Sequence, residues 1–296
     1  MVSPLRHKLL RDIGAQRAQF LAVIITIFLG VTIFAASYDS YQNLAASYET
    51  TATEFRFANL TVAGGDVEAF ASAAGSQDGV ESVELRTVAD VPIRVGGLKL
   101  LGRVVGLPTT GQPSVNQVRV ADGAYLTASE PTRVLVEEHM ADHFELAPGA
   151  TFAILGPTGW VTVEAGGVAS SPEYIWPARD RQGLLTSPDN FGVAFVPESL
   201  ARELAGTDRP TEAVVYFNGG DENAAVADLL LSEAAESGAT TSFTRADQPS
   251  NTALSEDLKG FEELAVFFPL LFLTAAALAT YVMISRLVHA QRPHIG

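Results

Sequence analysis

LAVFFPLLFLTAAALATYVMI, residues 264–284, runs for twenty-one positions without a charge. At about 1.5 Å per helical residue it crosses a hydrocarbon core of roughly 30 Å. A second run, FLAVIITIFLGVTIFAA at residues 20–36, is seventeen positions long and equally free of charge. It just spans the same core, with Tyr38 placed as an interfacial anchor. Runs of this length read as transmembrane helices, not as buried core helices of a soluble domain. A cleaved leader is the rival reading of the first run; against it, nineteen residues precede the run and no convincing A-x-A site follows.

The flanks orient the pair. Arg6, Lys8, Arg11 and Arg17 precede the first run against Asp12 alone, and Arg286 and Arg292 follow the second with no acid. The two ends carry +5, which leaves −20 of the formal −15 total for residues 37–263. Basic loops stay in the cytoplasm, so both ends are expected inside and the acidic middle outside, in the cell membrane. Leu5, Leu9 and Ile13 recur every four residues ahead of the first span, which suits an amphipathic helix on anionic lipid. The expected division is a cytoplasmic helix at 1–19, a first span at 20–37, an extracytoplasmic domain at 38–262, a second span at 263–285 and a cytoplasmic segment at 286–296.

Both spans are expected to continue outward as stalks. Tyr41, Leu44, Tyr48 and Phe55 keep helical spacing with no Gly or Pro from Val31 to Val62, so the first helix is expected to reach about Phe57. Leu254, Leu258, Phe261 and Ala265 keep it ahead of the second span, in a helix starting near Ser250 after Pro249. Between the stalks the pattern is α+β. Residues 60–63 read as a strand, 66–74 as a helix, and 80–95 with 98–106 as a strand pair turned at Gly96-Gly97. Residues 213–217 read as a strand, Asp221 as the cap of a helix to about Ser237, and 240–245 as a last strand. Short β runs at 133–136, 151–155, 161–168 and 192–196 lie between Pro and Gly turns. A β-rich insertion at about 115–205 within an α/β lobe is the simplest assembly.

Composition removes whole classes of function. With no Cys there is no disulfide framework, thiol catalysis or thiolate zinc site. The acidic balance argues against a nucleic-acid partner. None of the lysines, Lys8, Lys99 and Lys259, follows a glycine, so no Walker A loop is present and any ATP hydrolysis belongs to another subunit. No G-x-S-x-G serine or H-E-x-x-H pair occurs. His139 and His143, in EEHMADH at 137–143, share a helix face with Glu138 or Asp142 as a third donor, the spacing of a metal site; the alternative is a solvated acidic helix. Asp189-Asn190 and Asp221-Glu222 read as loops and caps, and Asn59-Leu60-Thr61 is a sequon only in a eukaryotic secretory setting. Pro269 either kinks the second span or sits harmlessly in its first membrane turn. No catalytic, cofactor or metal residue is assigned, and the chain is not read as an enzyme.

RLVHAQRPHIG, residues 286–296, resembles the R-x-V-x-x-Q-R-x-x-I-G signature of FtsX/MacB-type ABC transporter permeases, through Arg286, Val288, Gln291, Arg292, Ile295 and Gly296. His294 stands where that family usually carries an acid or Gln, and Pro293 is atypical. LLRDIGAQRAQFLAVIITIFLGVTIFAAS is similar to the family's first helix, and FRFANLTV, GRVVGLP, HFELAPGATF, SPEYIW and FGVAF are similar to its outer domain. The resemblance implies a porter-like α/β lobe with an inserted β lobe, and no bound cofactor. It implies a partner ABC ATPase contacting Arg286, Gln291, Arg292, Ile295 and Gly296, and further permease segments or a second permease copy. It also implies outward movement of lipid, lipoprotein, peptide or drug, or transmission of force. Family signatures run on past Ile-Gly into more helices, so the sequence reads as the front part of a longer permease. The rival reading is a two-span sensor with an outer ligand-binding domain; a membrane-tethered hydrolase or metal-binding domain comes after it.

Overall fold

A computed structural model describes Gly14 and residues 17–176, 190–219 and 223–291. The chain divides into two units, one of residues 1–47 with 256–296 and one of residues 48–255. The expected helix at 1–19 lies almost wholly outside the described residues.

The first unit is built from two long helices. Helix α1 runs Arg17–Glu54 and α6, the last helix of the chain, runs Pro249–Gln291. Each holds a stretch apolar and long enough to cross a membrane, Phe20–Glu54 and Lys259–Arg286, by length and composition. Helix α6 continues unbroken through Pro269, twenty residues beyond its start. Large apolar side chains stand outward around both helices: Phe28 is 68% exposed, Leu270 65% and Tyr281 70%. The inward positions are small. Gly30 is buried, and a Cβ there would lie 3.0 Å from Cβ of Phe272; Ala265 and Ala276 are also buried. Small residues let two backbones approach closely where apolar surface is not itself driven out of solvent.

The second unit contains two sheets. Strands β1 (Leu60–Ala63), β2 (Val80–Arg86), β10 (Glu212–Phe217) and β11 (Thr241–Thr244) form an antiparallel sheet in the order β11-β1-β10-β2. Helices α2 (Val67–Gly75) and α5 (Ala224–Glu236) cover one face and enclose Leu60, Val62, Phe70, Val215, Phe217 and Leu230. Asp66 caps α2 by accepting from the amide of Ala69. Asn223 stands at the cap position of α5; Asp221, expected there, lies outside the described residues.

The second sheet takes β3 (Val88–Val95), β4 (Leu98–Leu107), β5 (Arg119–Gly123), β6 (Arg133–Glu137), β7 (Thr151–Gly156), β8 (Gly159–Ser170) and β9 (Phe191–Pro197). Their order is β5-β8-β6-β9-β4-β3-β7, and β7 also pairs with β8, so the sheet closes on itself. Closure leaves few free edges for wrong pairing. Alternate residues serve two cores: Val104, Ala194 and Val196 join one with Met140 of α3 (Glu138–Phe144) and Leu200 and Leu204 of α4 (Glu198–Ala205). Val105, Val193 and Phe195 join the other with Tyr174.

This sheet spans 88–197, so it begins well before the expected insertion at about 115–205. The run 80–95 is not one strand. At Thr87 the amide and the hydroxyl both donate to the carboxylate of Glu198, at 3.0 and 2.7 Å, and the chain leaves one sheet for the other. Gly106 makes room for that carboxylate: a Cβ there would lie 2.0 Å from Glu198 Oε2. The Gly96-Gly97 turn is as expected, with Val95 opposite Leu98.

Candidate functional site

Within the second unit, the segment leaving α1 and the segment entering α6 meet at one place, and both are stitched to both sheets. Helix α1 ends at Glu54, three residues short of expectation, because Arg56 adopts a left-handed φ of 51°. Its guanidinium then donates to Ser114 O at 2.6 Å, to Glu81 at 2.8 Å and to Ser82 at 2.9 Å, and lies over the ring of Tyr216. The next residues are held by two buried amides: Asn116 Oδ1 accepts from Ala58 N at 2.7 Å, and Asn59 Oδ1 accepts from Phe217 N at 2.8 Å.

Arg245 joins this root to the other. It is buried, its guanidinium donates to the carbonyls of Phe57 and Ala58, and it lies over the Phe57 ring. Three residues on, Gln248 Nε2 donates to Glu173 O at 2.8 Å, and Ser250 Oγ in the first turn of α6 accepts from Trp176 N at 2.8 Å. The loop holding Glu173 and Trp176 follows β8 of the closed sheet. A buried, charged side chain saturated with hydrogen bonds makes such a joint stiff.

Glu173 continues the network. Arg86, at the end of β2, donates to both Glu173 oxygens at 2.7 and 2.5 Å and to Glu212 at the start of β10. These three side chains are 5–12% exposed, at the point where the chain crosses between sheets in both directions. Beside them Val88 and Thr211 exchange hydrogen bonds at 2.8 and 2.9 Å. A cleft of about 590 Å³ opens here, lined among others by Thr61, Arg86, Arg103, Glu173, Glu212 and Phe243. Burial works against the Arg86 charge, but Glu173 and Glu212 more than offset it and hold the guanidinium well above its ordinary value. Burial raises Glu212 above the usual carboxylate range, with Glu173 adding to the rise and Arg86 opposing it. Burial likewise pushes the Tyr174 phenol up.

The residues expected to meet a partner sit elsewhere. Arg286 is exposed near the end of α6 and Gln291 is that helix's last residue; Arg292, Ile295 and Gly296 lie outside the described residues. Arg286 also borders a groove of about 550 Å³ with Ala22, Thr26, Ala276 and Ala279. The histidine pair is engaged locally: His139 Nδ1 lies 2.7 Å from Glu137 Oε1, and His143 packs edge-on to Phe144. Glu137 also caps α3, accepting from the amides of His139 and Met140. Among the described residues no three metal-ligating side chains gather in one place. Sequence reading missed Arg56, Arg86, Arg245 and their partners. Two signals were available: an arginine beside an apolar strand, and polar Asn59 and Asn116 in otherwise apolar stretches.

No family model matches the sequence, and no curated protein does. Similarity is found among solved structures. The extracellular domain of the noncanonical ABC-type transporter YknZ from Gram-positive bacteria matches over 60% of this chain and 93% of its own, with 17% identity and a TM-score of 0.38. The periplasmic region of MacB from Actinobacillus actinomycetemcomitans matches over 68% and 92%, with 14% identity and a TM-score of 0.37. Both are domains from outside the cytoplasm.

Proposed function

We propose that this chain is a permease subunit of an ABC-type transporter of the FtsX/MacB kind. In this reading α1 and α6 cross the cell membrane, both ends lie in the cytoplasm, and residues 38–262 lie outside. A partner ATPase supplies the nucleotide chemistry and engages the basic cytoplasmic ends, Arg286 and the signature residues after it. Further permease segments or a second permease copy complete the pathway. The outer domain then moves lipid, lipoprotein, peptide or drug outward, or passes force to an outer partner.

One observation carries this reading: the two-sheet domain is inserted between two long apolar helices and tied to the roots of both through Arg245. Any displacement of one root is felt at the other and, through Glu173 and Arg86, at the crossover between sheets. That is what a domain worked from the cytoplasmic side requires, and a pair of independent tethers would not need it. It remains a lever, and transport also needs two alternative states of it.

The experiment is co-purification. The full chain, extracted in mild detergent, should bring down a Walker A protein, and Arg286→Glu with Arg292→Glu should weaken that complex at least tenfold. Recovery of no ATPase, or of equal amounts with both variants, removes the assigned contact. Because the chain has no native Cys, single cysteines at Ser72 and Ser129 report sidedness directly. Both should label from outside intact cells; labelling only after lysis overturns the topology.

A further inference from the structure

The turn Gly96-Gly97 carries an unusual group of side chains for so acidic a domain. Arg94 and Lys99 stand directly opposite each other across the β3–β4 hairpin. Like charges in that position repel. Both lean on one indole: the Arg94 guanidinium carbon is 4.5 Å and the Lys99 nitrogen 5.8 Å from the ring centroid of Trp160. Trp160 arrives from β8, where it faces Leu155. Among the described residues neither cation forms an ion pair, although acids outnumber bases 34 to 19 in the chain. At the crest Leu98 is 64% exposed, and nothing lies within 4 Å of where a Cβ on Gly96 or Gly97 would be.

We infer that this hairpin tip docks on the surface of an anionic phospholipid bilayer. The bilayer interface accepts all three components together. It takes an aliphatic crest among acyl chains, an indole at headgroup depth, and cations reaching phosphates on flexible stems. An acidic polypeptide would satisfy Arg94 and Lys99 and leave Leu98 without an apolar partner. Two cations and one leucine bind weakly as a free patch, so the contact calls for a bilayer rich in anionic lipid. The inference rests on the membrane part of the proposed function, and it assigns a surface which that reading leaves unassigned.

The full chain is placed in phosphatidylcholine nanodiscs in a Trp176→Phe background, which leaves Trp160 as the sole indole. Brominated phosphatidylglycerol, in the disc or as added vesicles, should quench Trp160 and shift its emission to the blue; brominated phosphatidylcholine alone should do little. Each cation removed should lower the contact equilibrium about fivefold, so Arg94→Gln with Lys99→Gln should lower it about 25-fold. Leu98→Ser should also weaken it, and an unchanged thermal transition shows that the fold is intact in each variant. Absence of quenching from either lipid source overturns the inference, as does a Trp160 response to polyglutamate in neutral discs that anionic lipid fails to reproduce. Alkaline extraction of the same protein separates the failures. If the helices stay in the membrane while Trp160 is silent, only the tip assignment falls; if they wash out, the membrane reading beneath it falls.

Discussion

Removing the Arg86 guanidinium should be among the most damaging single changes in the second unit. Glu173 and Glu212 would then face each other with at most 12% side-chain exposure and without their shared guanidinium, leaving Arg103 of the same cleft to act on Glu212. Breaking a buried ion cluster by deleting one partner costs about 3–5 kcal/mol, mostly the penalty of the charge left behind. A unit of this size loses about 2–4 °C of Tm per kcal/mol, so Arg86→Ala should melt roughly 10 °C early. The loss should depend on pH in a definite direction. Glu212 is raised above its ordinary value of 4.5, chiefly by burial. Its contribution to stability is therefore complete below that value and is lost as pH rises through the folded value. Without Arg86, which opposes that rise, Glu212 goes up further, so the deficit of Arg86→Ala should be largest near neutrality and shrink toward pH 4.5. Replacing the whole cluster, Arg86→Met with Glu173→Leu and Glu212→Leu, should recover most of the stability, because the desolvation cost goes with the charges. Thermal unfolding of the full chain in detergent across pH 4–8 tests all three points. A deficit for Arg86→Ala that is small and flat with pH would show that water already reaches both carboxylates through the cleft.

Three further outcomes follow from other parts of the molecule. Arg245→Ala removes the donors to the Phe57 and Ala58 carbonyls, so it should cost about 3 kcal/mol, and amide exchange should rise at residues 55–59; protection unchanged there would refute the joint. His139 is raised above 6.5, first by its hydrogen bond to Glu137 and against a smaller effect of burial; its stabilisation is complete below 6.5 and lost as pH rises through the folded value. With the ring 42% exposed the effect stays below about 1 kcal/mol, and His139→Gln should remove that pH dependence from the melting curve. Gly30→Leu drives a side chain into Phe272, so cross-linking between Val23→Cys and Ala279→Cys, which line one groove, should fall; an unchanged yield would mean that the helices do not meet at Gly30.

Much of the secondary structure was legible because its signals are local. Charge-free runs, the Gly96-Gly97 turn, Pro249 and Asp66 each act over a few residues, and the elements around them fall within a few residues of expectation. The sheet boundary was not legible. Residues 80–95 hold no Gly and read as one apolar-rich β run, and what divides them is Glu198, more than a hundred positions away, taking both donors of Thr87. The β-rich region begins earlier than expected for the same reason: β3 and β4 look like neighbours of β2 until a distant carboxylate turns the chain. The joint was hidden more deeply. An arginine in sequence reads as surface charge, and Arg86 and Arg245 become internal only because carbonyls and carboxylates from three separate segments converge on them. Such convergence is a property of topology, since it joins positions 57, 86, 173, 212 and 245 that share no local pattern. It also indicates where selection on this chain has to act. A change at an outward position of either long helix, such as Phe28 or Leu270, can be absorbed by another apolar residue, whereas a change at Arg86 or Arg245 leaves several polar groups buried at once, and no single neighbouring substitution restores them.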